Sequence, residues 1–313
     1  MLLIIEKIFS IFIISGIGVF LNKSGLVKEK EESVLSTLLV SVCAPCMIVA
    51  SVFEKKVEAN ILGMAMWSFS CALVLYVILF FVGLWCTKLT QISKKDASLY
   101  AYSFPSTNSG FLGMPITMAL FGTDAFFNLI IQNFAMNFYL YLIGILFLHL
   151  FSGEGHYDKS IIINMLKNPC MIASLLGLFF MAIKLKMPSV VLDLLNMVGN
   201  TTTPIAMIYT GIMLGSCSLG KLMKDKAFVI MLIAKMVLCP VIAYLVVNWM
   251  PVNPVLKISM VFGFTFPVAA MVAPLAEKEN ANSELASKLV AITTLVSVVT
   301  IPISALFLTW NYM

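Results

Sequence analysis

Residues 103–117 read SFPSTNSGFLGMPIT, and they gather much of the polar chemistry of an otherwise apolar chain. Pro105, Gly110, Gly113 and Pro115 each oppose a continuous helix, the prolines by removing a backbone donor and the glycines by permitting unusual backbone angles. Ser106, Thr107, Asn108 and Ser109 fill the interval with donors and acceptors. A side-chain amide beside backbone N–H groups freed at a helix break is a donor set suited to a carboxylate. Asn108 is the leading member, with Thr107 and Gly110 in its neighbourhood. Asn108 can equally cap a half-helix starting near Ser109, and the two roles are compatible.

Other polar residues at membrane depth extend this set. Lys235 is the ionisable residue well inside an apolar segment of the second half. A charge there costs about 3 kcal/mol on insertion scales and marks a functional position by default. It can neutralise an anion or hold a broken helix through its carbonyls. Asp193, Asn196, Asn200, Thr203 and Thr210 are spaced to share one helical face, suited either to lining a path or to interhelical hydrogen bonding. Gln132, Asn133 and Asn137 lie in the fifth segment, the last two one turn apart.

Bond-making chemistry is not expected. The sequence has no HExxH, no GxSxG, no facing aspartate pair and no serine–histidine arrangement at membrane depth. His149 and His156 have no companion ligands, so neither a metal site nor a cofactor is expected. Cys43 and Cys46 form a CAPC inside an apolar stretch, where small packing residues are the better reading than a redox pair.

The elements that carry these residues are membrane helices. Of 313 residues, 61% are hydrophobic and 11% charged, and the mean hydropathy is +1.01, outside the range of soluble domains. Stretches long enough to cross the hydrocarbon recur at 3–22, 33–53, 61–86, 97–121, 124–151, 168–184, 190–215, 226–248, 254–276 and 286–309. The first is interrupted by Glu6 and Lys7 and lacks a cleavage site, so it reads as a retained helix. The loops after the odd-numbered segments carry Lys23, Lys28, Lys30, Lys88, Lys94, Lys95, Lys159, Lys167, Lys221, Lys224, Lys226, Lys278 and Lys288. The opposite loops carry only Lys7, Lys55, Lys56, Lys184, Lys186 and Lys257. The positive-inside rule then puts the first set in the cytoplasm and both termini outside, in the cytoplasmic membrane. The net charge of +5 reflects this topology, and no nucleic-acid partner is expected.

The two halves correspond. Pro45 matches Pro204 at an offset of 159, and Pro105 matches Pro267 at 162, which also separates the starts of segments five and ten. An odd number of crossings per half makes this an inverted repeat, an architecture of secondary transporters whose sites lie where discontinuous helices meet. Residues 1–152 form the first repeat, 153–160 a short linker and 161–313 the second repeat. The expected fold is all-α and polytopic, with ten transmembrane helices and crossed broken helices four and nine. Segment nine repeats the break with Pro267 and Pro274.

Several motifs then coincide in order along the whole chain. NSGFLGMP (108–115) resembles the N-x-x-x-x-G-x-P signature in the fourth helix of the auxin efflux carrier family, the PIN-like transporters that include bacterial malate and malonate permeases. GIGVFLNKSGLV, APCMIVASV, NPCMIASLLGLFF, VGNTTTPIAMIYTGIML, KMVLCP and IPIS agree with other helices of that family. The resemblance implies a scaffold from helices 1, 2, 6 and 7, a transport domain from helices 3–5 and 8–10, a homodimer and an elevator-like shift. It also implies that Asn108 contacts the substrate carboxylate. The long cytoplasmic loop of plant members is absent, so auxin itself is not implied.

The expected function is secondary transport of a small organic carboxylate anion. A non-transporting membrane sensor with the same cavity is the alternative. The expected substrate set is Pro105, Thr107, Asn108, Gly110, Asn137, Asn200, Thr203 and Pro267, with Lys235 as the electrostatic partner. Pro105, Gly113, Pro115, Pro267 and Pro274 are the expected helix breakers. The partners are the organic acid, membrane lipid and a second copy of the chain.

Overall fold

The computed structural model describes residues 2–27, 29–54, 61–90, 92–152, 163, 166–183, 185, 187–216 and 226–312. The linker 153–160 with His156, and Lys28, Lys55, Lys56, Lys184, Lys186, Lys221 and Lys224, lie outside the described residues. Among the described residues there is no strand. The helices are α1 (Leu2–Lys23), α2 (Glu29–Leu38), α3 (Ala44–Glu54), α4 (Ile61–Thr87) and α5 (Lys94–Ser103). They continue as α6 (Met114–Phe138), α7 (Gly144–Ser152), α8 (Pro169–Ala182), α9 (Ser189–Gly199) and α10 (Thr202–Ser216). The last five are α11 (Lys226–Ile233), α12 (Cys239–Asn248), α13 (Pro254–Gly263), α14 (Val272–Lys278) and α15 (Ser283–Tyr312). Single π-helical turns join α2 to α3, lead into α6, join α6 to α7 and join α11 to α12.

Local sequence sets the starts of several helices. The Ser93 hydroxyl accepts from the Asp96 amide at 3.0 Å and donates to its carboxylate at 2.8 Å, a reciprocal cap for α5. Asn168 accepts from Cys170 and Met171 at the start of α8, and Asn253 from Leu256 at the start of α13. Each asparagine precedes a proline at the first helical position, where a missing N–H costs nothing.

Among the described residues, five helical runs are long and apolar enough to span a membrane: Val34–Glu54, Gly63–Thr87, Ser109–Ser152, Ala227–Asn248 and Ser283–Tyr312. Pro169–Ala182 and Pro254–Gly263 are shorter apolar helices, and α1 is apolar over Ile13–Lys23. Of the ten segments expected from the sequence, three are broken within their length. Segments four, seven and nine are interrupted, and the second half of segment four runs into segment five. That 44-residue run would be about 66 Å long if straight, more than twice the ~30 Å hydrocarbon thickness. Gly122, with φ 77° and ψ −172°, divides it. Gly110 and Gly113 do not use the backbone freedom expected of them: neither has a positive φ, and both lie in the π-helical turn Ser109–Gly113.

The chain forms two compact units, interleaved along the sequence rather than following its halves. The first comprises 1–70, 109–134 and 164–216. In it α1 and α10 meet backbone to backbone, because a Cβ on Gly211 would stand 1.9 Å from the Ser15 carbonyl oxygen and one on Gly18 2.1 Å from that of Ile208. Helix α3 packs on α8 and α9, with Gly177 against Val52 and Gly199 against Met47.

The second unit comprises 71–108, 135–163 and 217–313. Its buried centre includes Tyr76, stacked on Tyr139 with ring centroids 5.6 Å apart and tilted against Phe264 at 5.0 Å. Tyr102 stacks on the other face of this group, 6.3 Å from Tyr139. His149 and Glu279 form a part-buried pair at 2.8 Å, tying α7 to the end of α14.

Candidate functional site

The site lies in the second unit, where two helices stop short of completing their spans. Helix α5 ends at Ser103, and residues 104–108 are non-helical. Pro105 supplies no N–H, so the regular ladder cannot pass it. The Ser103 carbonyl instead receives both the amide and the hydroxyl of Ser106, at 3.1 and 2.7 Å. Helix α13 ends the same way before Pro267: the amide and hydroxyl of Thr265 both donate to the Phe262 carbonyl, at 3.0 and 2.7 Å.

The two breaks are bonded to each other. The Asn108 amide N–H donates to the Pro267 carbonyl oxygen at 2.7 Å. Each break is also tied to the long helix that follows it. The Val268 N–H donates to the Thr293 hydroxyl of α15 at 3.0 Å, and that hydroxyl donates onward to the Leu289 carbonyl at 2.7 Å. The Thr107 N–H and hydroxyl both donate to the Met136 thioether sulfur of α6, at 3.4 Å each. A thioether is a weak acceptor, so this corner holds two donors whose bonds a better acceptor can replace.

Lys235 supplies the charge. It lies in the π-helical turn Ala234–Leu238 and is 3% exposed. Its ammonium donates to the Ser106 carbonyl at 2.8 Å, with the Cys239 sulfur at 3.9 Å. A cation beyond the C-terminal end of α5 complements the partial negative charge of that helix end. The ion pairs formed among the described residues, His149–Glu279 and Lys288–Glu284, do not involve it.

Pro105, Thr107, Asn108, Pro267 and Lys235 are therefore brought together, all buried. Asn137 is buried one residue beyond Met136. Gly110, Gly113 and Pro115 fall in the first unit, in the π-helical turn and the opening of α6. There the Asn133 amide donates to the Ser109 hydroxyl at 2.6 Å. Pro274 sits inside the first turn of α14 rather than in the break itself.

The polar stripe of segment seven does not form one helical face. Helix α9 stops at Gly199, where the Asn200 amide and the Thr201 hydroxyl turn back to Asn196 and Val198. A new helix begins at Thr202 with Pro204 in its first turn. Asn200 is exposed, Thr203 is half-buried, Asn196 donates to the Glu54 carboxylate at 2.7 Å, and Thr210 bonds its own helix. Also in the first unit, Phe111 stacks on Tyr209 with centroids 5.4 Å apart.

Sequence reasoning passed over the Ser106 carbonyl as the acceptor for Lys235, and Met136 and Thr293 as acceptors at the two breaks. Thr293 and Met136 read as packing residues of long helices, and only their distance to the breaks reveals them.

Residues 3–305 match the family described as membrane transport protein. An uncharacterized transporter of Methanocaldococcus jannaschii is 25% identical over 306 residues, covering 95% of this chain and 96% of its own. An uncharacterized transporter of Methanothermobacter thermautotrophicus is 24% identical over 303 residues, with 95% and 96% covered. With several membrane-length apolar helices and a match along nearly its whole length, the chain is a multi-pass protein that belongs to the membrane transport protein family, the auxin-efflux-carrier-like family its motifs resemble.

Proposed function

We propose that this protein is a secondary carrier of small organic carboxylate anions, with the substrate received at the paired breaks. The observation that carries this reading is the buried Lys235 ammonium on the Ser106 carbonyl, directly beside the donors of Thr107 and Asn108. A carboxylate oxygen entering this corner would replace the Met136 sulfur as acceptor for Thr107, take the Asn108 side-chain amide and lie near a positive charge. Hydrogen bonds to a charged group are worth about 1.5–3 kcal/mol each, more than a thioether contact.

Because Thr107, Asn108 and Lys235 are buried, exchange with either side of the membrane requires movement. We assign that movement to an elevator-type shift, with helices 3–5 and 8–10 as transport domain and helices 1, 2, 6 and 7 as a dimeric scaffold. The carrier sits in the cytoplasmic membrane with both termini outside, a reading that the lysine distribution supports.

The test is substrate-induced current from purified protein in proteoliposomes challenged with malate, malonate, succinate and indole-acetate. A saturable current that collapses in Asn108→Ala supports the carrier. Thermal stabilisation by one of these acids without any current would overturn it in favour of a ligand-sensing membrane protein.

A further inference from the structure

A cavity in the same unit adjoins the second break. It has a volume of about 390 Å³, within the size range of small-molecule sites of roughly 300–1,000 Å³. Its walls are the Ala227–Asn248 and Ser283–Tyr312 spans, and Thr265 at the end of α13 helps to form its floor. The cause is local. Pro240 opens α12 just after a π-helical turn, and Pro302 interrupts the hydrogen-bond ladder of α15. Both walls thus carry an irregularity along the same cavity.

The cavity opens on side chains that face the hydrocarbon. Val237, Val241, Ile303 and Phe307 are 54%, 44%, 61% and 44% exposed, each on a helix long enough to span the membrane. The lining is mainly apolar. The Thr300 hydroxyl has no hydrogen-bond partner, but a membrane threonine can turn onto the carbonyl of its preceding turn, so it does not demand a polar ligand.

Length and ends identify the occupant. The lining runs from Met236 to Tyr244 on one wall and from Thr300 to Leu308 on the other, eight helical steps or about 12 Å each, and the Asn248–Tyr312 contact lies one turn further on, about 18 Å from the start, against ~15 Å for half the hydrocarbon. Cavity and rim together therefore match the depth of one leaflet. At its outer end Tyr244 packs on Phe307 with centroids 5.2 Å apart, and the Tyr312 hydroxyl donates to the Asn248 side chain at 3.3 Å. Trp249 and Trp310, 90% and 78% exposed, stand beside this polar end as interfacial residues do. An apolar slot one leaflet deep, with an aromatic and amide rim at the interface, fits a bilayer lipid.

We infer that this groove retains one acyl chain of a membrane lipid, its headgroup at the Trp249–Trp310 rim and its tail against Thr265 and Met236. The tail then braces the π-helical turn that carries Lys235, the residue that holds the break at Ser106.

The experiment uses the full chain in proteoliposomes containing a phospholipid with a mid-chain diazirine, followed by illumination and peptide mapping. Val74 and Ile78 are 58% and 40% exposed on α4 and serve as the groove-free reference. Labelling at 237–241 and 300–307 several-fold above Val74 and Ile78, competed by unlabelled phospholipid, is the expected result. Val241→Trp and Ser304→Phe, each filling the groove from a different wall, should abolish that excess and leave the reference labelling intact. Equal labelling of groove and reference in the wild type overturns the inference without any variant having to fold. So does groove labelling that persists in a filled variant which remains monodisperse, or that unlabelled phospholipid does not displace.

Discussion

The backbone N–H of Asn108 donates to the carbonyl oxygen of Pro267 at 2.7 Å, which makes two breaks 159 residues apart in sequence one hydrogen-bonded element. The bond uses the main chain of Asn108 and not its side-chain amide. Substitutions can therefore change the side chain while keeping the bond between the breaks.

Asn108→Ala keeps the bond to Pro267 and should lose less thermal stability than a variant that breaks it. Loss of an amide donor to a charged ligand, at about 1.5–3 kcal/mol, should weaken substrate binding by roughly 10- to 100-fold. Asn108→Pro removes the N–H itself and should lower thermal stability markedly. Calorimetry and transport on the two variants together check the split; equal stability of both would refute it.

Removing the charge at Lys235 leaves the buried Ser106 carbonyl without its donor. Lys235→Met should cost about 1–3 kcal/mol in stability and abolish anion transport. Lys235→Gln restores a donor of similar reach, so stability should partly recover while transport does not. A glutamine variant that transports normally would remove the electrostatic role.

Thr293 holds the second break through one hydroxyl. Thr293→Val preserves shape but leaves the Val268 N–H unpaired in a buried site, at a cost of about 1–3 kcal/mol. Thr293→Ser should restore most of that loss. Thermal unfolding in detergent reads the difference, and a valine variant as stable as serine would show that Val268 finds another acceptor.

In the first unit, Gly211→Ala places a methyl 1.9 Å from the Ser15 carbonyl oxygen and must push α1 from α10. Overpacking of this kind costs about 1–3 kcal/mol or more. Gly16→Ala, one residue from Ser15 with nothing within 4 Å of the added carbon, should be neutral. Parallel thermal melts test the contrast.

The breaks are legible in the sequence because proline acts on its own helix: Pro105 and Pro267 mark them without any knowledge of the fold. What completes the site is not legible, because its partners are distant and bland. Lys235 bonds a main-chain carbonyl 129 positions away, and a carbonyl carries no residue signature. Met136 reads as a core methionine until two donors are found on its sulfur. The stripe from Asp193 to Thr210 misled for the converse reason: helical spacing holds only while the helix continues, and α9 ends at Gly199. Ser109–Ser152 shows the same limit, since composition gives one long apolar run and only Gly122 divides it.

Burying Lys235 against a carbonyl rather than a carboxylate has an electrical consequence for a carrier of anions. In the anion carrier proposed above, a protonated Lys235 would give the empty site a positive charge that a bound monoanion would cancel. The loaded form would then cross the membrane field nearly neutral, and the field, at about 2.3 kcal/mol per charge per 100 mV, would act chiefly on the return of the empty form. Voltage would set how quickly the protein resets rather than how quickly it delivers.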